Sequence, residues 1–98
     1  MNTTSKISRT ATRQAARQAG RNAAIAMSSD FSSTDAEKIV GSILLCTTSM
    51  ILCADGPLEP WLSNVRAARA IHAKDFRAGV LDGVKLSLTI KAAAAALN

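Results

Sequence analysis

The stretch from Ile39 to Ala54, IVGSILLCTTSMILCA, is apolar on almost every side of a helical wheel. Ile39, Ile43, Cys46, Met50 and Cys53 repeat at alternating steps of four and three, which is a heptad seam. Val40, Leu44, Leu45, Ile51 and Leu52 widen that seam nearly to the full circumference. A helix that is apolar all round must be covered by its surroundings. This segment is therefore expected at the centre of the fold. It would be ~24 Å long, and Gly41, Ser42, Thr47, Thr48 and Ser49 interrupt it. A membrane span needs about 20 predominantly apolar residues, so a buried core helix is expected and no membrane span.

The flanking residues say where this helix starts and stops. Thr34-Asp35-Ala36-Glu37 fits a capping box, with Thr34 as the cap and Glu37 reaching back. Gly56 suits a left-handed position after the helix, and Pro57 blocks its continuation. Pro60 is pre-set for the first position of another helix. That helix is expected over about Pro60 to His72, burying Trp61, Leu62, Val65 and Ile71, with Arg66 and Arg69 on its polar side. Asp75 is a candidate cap for a last helix, from about Phe76 to Leu97. Within it, Phe76, Val80, Val84 and Leu88 have helical spacing, while Val84–Ile90 alternates apolar and polar residues as a strand does. Helix is the favoured reading of Val84–Ile90. A strand there would need a partner from another chain.

The N-terminal third has a different composition. Residues 1–29 carry Lys6, Arg9, Arg13, Arg17 and Arg21 and no acid, whereas residues 30–98 balance seven basic against seven acidic residues. The net charge of +5 thus lies wholly in the first third. Alanine, arginine and glutamine favour helix, and a helix is expected from about Ser8, its N-cap, to Met27. Ala16, Ala19, Ala23 and Ala26 give it a face of small residues that can pack. The chain then reads as residues 1–29, a basic helical arm, on residues 30–98, a neutral helical core, in one domain overall. The fold class expected is all-α, a small bundle of about four helices, with Trp61, Val65, Ile71, Phe76, Val80 and Val84 packed against Ile39–Ala54.

Arg9, Arg13, Arg17 and Arg21 are four residues apart and form one slowly winding stripe on a helix. Like charges at this spacing destabilise an isolated helix by about 0.2–0.5 kcal/mol per pair. Water, acids of the core, phosphate groups or an acidic protein surface could each offset that. The candidate partner- or phosphate-binding residues are accordingly Lys6, Arg9, Arg13, Arg17 and Arg21. The partner expected is an acidic protein surface or nucleic acid, the latter bound without sequence preference, because the arm shows no aromatic, zinc-finger or recognition-helix pattern. With no aromatic it offers no stacking platform for single strands. An arginine-rich, acid-free start is also the pattern of a mitochondrial presequence. Few aromatics and alanine-rich faces make a thin core, so a homo-oligomer or self-assembling subunit is a further expectation.

Chemistry finds little footing. His72 is the single histidine and stands at a helix end, where a capping role is expected. There is no G-x-S-x-G elbow, no glycine-rich phosphate loop and no close-spaced ligand pair for zinc. No catalytic residue, metal or cofactor is assigned. Cys46 and Cys53 would lie ~10.5 Å apart on a helix, too far for a mutual disulfide. They are expected as buried free thiols of a reducing, cytoplasmic compartment. Ala54-Asp55-Gly56 with Glu59, after a greasy helix, resembles the turn of tellurite-resistance TerB-like helical domains over a small part of the chain, and no family is assigned on it. The function expected is that of a non-enzymatic binding protein: an adaptor, inhibitor or assembly factor. Its size suggests a phage or other mobile element as the source.

Overall fold

The computed structural model describes the backbone of residues 2–97 and the side chains of residues 12–97. Four helices make an all-α bundle: α1 (Asn2–Met27), α2 (Ala36–Leu52), α3 (Pro60–Ile71) and α4 (Ala73–Leu97). A short 3-10 turn, Ser28–Asp30, follows α1, and the described residues contain no strand.

Local chemistry sets each boundary. Ser28 donates its hydroxyl to the Ala24 carbonyl, and Phe31 then runs extended and leads the chain away. Asp35, not Thr34, caps α2: its Oδ1 accepts from the backbone N–H of Glu37 at 3.0 Å and of Lys38 at 3.4 Å. Ser33 supports the cap by accepting from the Asp35 N–H at 3.1 Å. The carboxylate reaches two free N–H groups and carries the charge that the helix N-terminus favours. At the other end Cys53 is the C-cap, its N–H bonded to the Ser49 carbonyl. No described residue has positive φ, so Gly56 does not take the left-handed position expected of it. Pro60 opens α3 as anticipated.

A single residue, His72, joins α3 to α4. It caps the C-terminus of α3, and its carbonyl accepts the Phe76 N–H at 2.9 Å. Asp75 therefore lies inside the first turn of α4 and does not cap it. Likewise α1 begins at Asn2, so Ser8 is interior and no N-cap. Val84–Ile90 is helical throughout, because α4 runs on to Leu97 and no strand partner exists among the described residues.

The centre of the bundle is α4, not α2. All four helices touch one another, but α4 has the most buried residues among the described ones and makes the most extensive contact, along α1. Glycine makes this possible. A Cβ at Gly79 would overlap the Arg17 carbonyl, and one at Gly20 would overlap the Phe76 carbonyl. At Gly83 it would meet the Arg21 carbonyl and the Ala24 Cβ, each at 2.6 Å. Facing positions advance together along both helices, Arg13 with Asp75, Arg17 with Gly79 and Ala24 with Gly83, so α1 and α4 run parallel. Small residues four apart on α1 (Ala16, Gly20, Ala24) and on α4 (Gly79, Gly83) let the two backbones touch, as small-xxx-small helix pairs do.

With α1 seated on its glycine side, α4 offers Phe76, Val80 and Val84 to the core, each at most 1% exposed. Ile39, Val40 and Ile43 of α2 and Leu62, Val65 and Ala68 of α3 complete it. Met50 of the expected α2 seam is 42% exposed, and two of the residues expected to pack against α2 lie elsewhere. Trp61 is 41% exposed, held at the rim by its indole N–H donating to the Glu59 carboxylate at 3.0 Å. Ile71 is 66% exposed, and Ala68 faces inward one turn before it. On α1 the buried face includes Ala24, while Ala26 is exposed.

Candidate functional site

The arginine row is met first by acids of the same chain. Arg13 Nε lies 3.3 Å from Asp75 Oδ2. Arg17 donates from Nε at 2.9 Å and from Nη2 at 2.6 Å to Asp82 Oδ2. Asp75 and Asp82 are seven residues apart on α4 and flank the glycine side on which α1 sits. The two pairs thus clamp the edge of the tightest contact in the fold. Arg21 is exposed and makes no ion pair among the described residues. The side chains of Lys6 and Arg9 lie outside the described residues. Of the five candidate binding residues, two are engaged by aspartates, one is unpaired, and two have no described side chain.

A third pair, Arg77 with Glu37 at 3.2 Å, ties α4 to α2. His72 Nδ1 is 4.0 Å from the Asp75 carboxylate that Arg13 also contacts. This places the histidine in a helix corner, beside a carboxylate already serving an arginine. Among the described residues no three His, Cys, Asp or Glu side chains come together as a metal site requires. Both cysteines are free. Neither is buried as expected: Cys46 is half-buried, and Cys53 is exposed, at the C-cap of α2.

Arg69 is the residue that the sequence misplaces. Expected on the polar side of α3, it turns inward. Its Nη1 donates to the Leu44 carbonyl at 2.8 Å and to Thr47 Oγ1 at 2.7 Å, and its guanidinium lies 6.0 Å from the Phe76 ring centroid. Thr47 is fully buried; its hydroxyl donates to the Leu44 carbonyl at 3.1 Å and accepts from Arg69. No buried side-chain polar atom among the described residues lacks a hydrogen-bond partner. The available signal was Thr47 itself, a polar residue on the inward side of an apolar helix.

The outer side of α2 is the anomaly. Its inner side, Ile39, Val40, Ile43 and Thr47, is sealed. Its outer side presents Lys38, Gly41, Leu45, Ser49 and Leu52 at spacings of three, four, four and three, all exposed. Leu45 is 69% exposed and Leu52 78%. A Cβ at Gly41 would meet nothing within 4 Å, so no contact within the chain explains a glycine that costs about 1 kcal/mol relative to alanine in mid-helix. Here lies a second helical seam, apolar and uncovered.

A groove of about 600 Å³ lies between α1 and α3, floored by Ala16, Ala19, Ala67 and Ala68. No titratable side chain lines it. No helix of the described residues is long and apolar enough to cross a membrane. In comparisons with known proteins, no family model, no curated protein and no solved structure matches this chain.

Proposed function

We propose that this chain is a non-enzymatic binding protein, an adaptor or assembly factor, that meets another protein through the outer face of α2. The observation carrying this reading is the exposure of Leu45 and Leu52 on a helix whose opposite face is sealed. Apolar side chains aligned along one helix face, with a glycine among them, fit helix-in-groove recognition better than a solvated surface. The engagement of Arg13 and Arg17 by Asp75 and Asp82 supports the same assignment. Arginines already held by carboxylates have less to offer a further acidic surface.

Affinity capture with three forms of the chain tests this: wild type, Leu45→Glu/Leu52→Glu, and Lys6→Ala/Arg9→Ala/Arg21→Ala. Partners kept by the arginine variant and lost by the leucine variant are expected. The reverse pattern would move the working surface to α1.

Nucleic acid is the second reading, and the exposed Arg21, which has no ion pair among the described residues, is what favours it; Lys6 and Arg9 belong to the same helix. Three phosphate contacts would make affinity fall with roughly the 2.7th power of salt on duplex DNA. Fluorescence anisotropy with labelled DNA and RNA at two salt concentrations checks it. The absence of binding at low salt would remove this reading.

A further inference from the structure

Resting on the reading of α2 as the working surface, we infer that its occupant is the α2 of a second copy of this chain, packed antiparallel about a two-fold axis. The outer seam is complementary to itself in one register. Large and small residues alternate along it: Gly41, Leu45, Ser49, Leu52. When two such helices are laid antiparallel, Leu52 of each faces Gly41 of the other, and Leu45 faces Ser49. Both helical pairings coincide because the residue numbers in each pair add to nearly the same total. The same register brings Lys38, near the start of each helix, toward the turn after Cys53 that carries Asp55 in the other copy. A seam with no self-complementarity would satisfy one pairing and break the other.

The charges at the two ends are opposite and open. Lys38 and Asp55 are both exposed, and neither has an ion pair among the described residues. The neighbouring Glu37 is already taken by Arg77, so it does not compete for Lys38. Antiparallel packing also sets the positive end of each helix dipole beside the negative end of the other. Gly41, which no contact within the chain explains, becomes the hole that receives the Leu52 of the second copy. Knobs into holes at seam spacing are how paired helices interdigitate. One seam of this length buries less than the ~800 Å² per partner of a standard stable interface. The dimer is accordingly concentration-dependent.

Sedimentation equilibrium of the whole chain from micromolar to millimolar concentration is the first measurement, with a monomer–dimer equilibrium expected. Leu45→Glu/Leu52→Glu should weaken association about tenfold or more with unchanged circular dichroism, since both side chains are exposed in the monomer. Lys38→Asp should weaken it, and Lys38→Asp combined with Asp55→Lys should restore it. Register is read by disulfide trapping in a Cys46→Ser/Cys53→Ser background. Leu45→Cys protein mixed with Ser49→Cys protein should crosslink faster than either variant alone. A chain that stays monomeric at millimolar concentration overturns the proposal. So does dimerisation that survives the leucine substitutions, or crosslinking without preference for the mixed pair. A monomeric chain whose capture partners still depend on Leu45 and Leu52 would retain α2 as a binding surface for a different protein.

Discussion

Arg17 holds Asp82 with two nitrogens on one carboxylate oxygen, while its own carbonyl carbon and oxygen press against Gly79 on the same helix of the partner pair. Side chain and backbone of one residue thus meet α4 at successive turns. The backbone contact and the ion pair differ sharply in strength, and substitution separates them.

The glycine contact carries the larger energy. Gly79→Ala places a methyl against backbone that cannot move independently. Overpacking of this kind costs typically about 1–3 kcal/mol, against an intrinsic helix gain of about 1 kcal/mol for alanine over glycine. Net destabilisation is expected by urea denaturation, for Gly79→Ala and Gly20→Ala alike. Gly41→Ala should do the opposite and stabilise the monomer by about 0.5–1 kcal/mol, because its surroundings are open.

The ion pair carries the smaller energy. Arg17 and Asp82 side chains are 56% and 42% exposed, so solvent screens their attraction. A double-mutant cycle of Arg17→Ala and Asp82→Ala should give a coupling of about 0.2–1 kcal/mol, falling with added salt. Arg21→Ala should change stability by less than about 0.5 kcal/mol.

Arg69→Ala removes the charged donor shared by the Leu44 carbonyl and the buried Thr47 hydroxyl, which remain bonded to each other at 3.1 Å. A cost of about 1–3 kcal/mol is expected by thermal or chemical denaturation. Arg66→Ala, three residues earlier and exposed, is the control and should be close to neutral. If both arginines behave alike, Arg69 does not tie α3 to α2.

Phe76→Ala empties the middle of the core. Phe76 is 1% exposed, and large-to-small changes of this kind cost about 3–5 kcal/mol. A domain of this size has total stability on the order of 5–15 kcal/mol. A sharp fall in melting temperature is therefore expected. Trp61→Ala, at a rim position, should cost clearly less.

The four helices were legible because their signals are local. Pro60, the Thr34–Glu37 capping residues and the spacing of Ile39, Ile43 and Val80 each act within one or two turns. The choice of centre was not legible. Heptad counting ranks helices by their grease, and Gly79, Gly83, Gly20 and Ala24 carry none. Yet these small residues decide which two helices come closest. The arginine row was visible from its spacing, but its acids stand 62 and 65 residues away from Arg13 and Arg17. Nothing in Arg13 or Arg17 distinguishes an arginine that will find such an acid from Arg21, which does not. Arg69 was misplaced for a related reason. A wheel of α3 alone cannot show that a buried hydroxyl on α2 will draw it inward.

The parallel pairing of α1 with α4 also governs when this chain can fold. Synthesis delivers α1 before α2, α3 and the helix that receives it, α4. Until Gly79 and Gly83 have left the ribosome, α1 is a row of arginines with neither its backbone neighbour nor its counter-charges. Closing so long a loop has an entropic cost, and contacts between segments far apart in sequence slow folding. The nascent chain must therefore hold an unmated basic helix until α4 emerges.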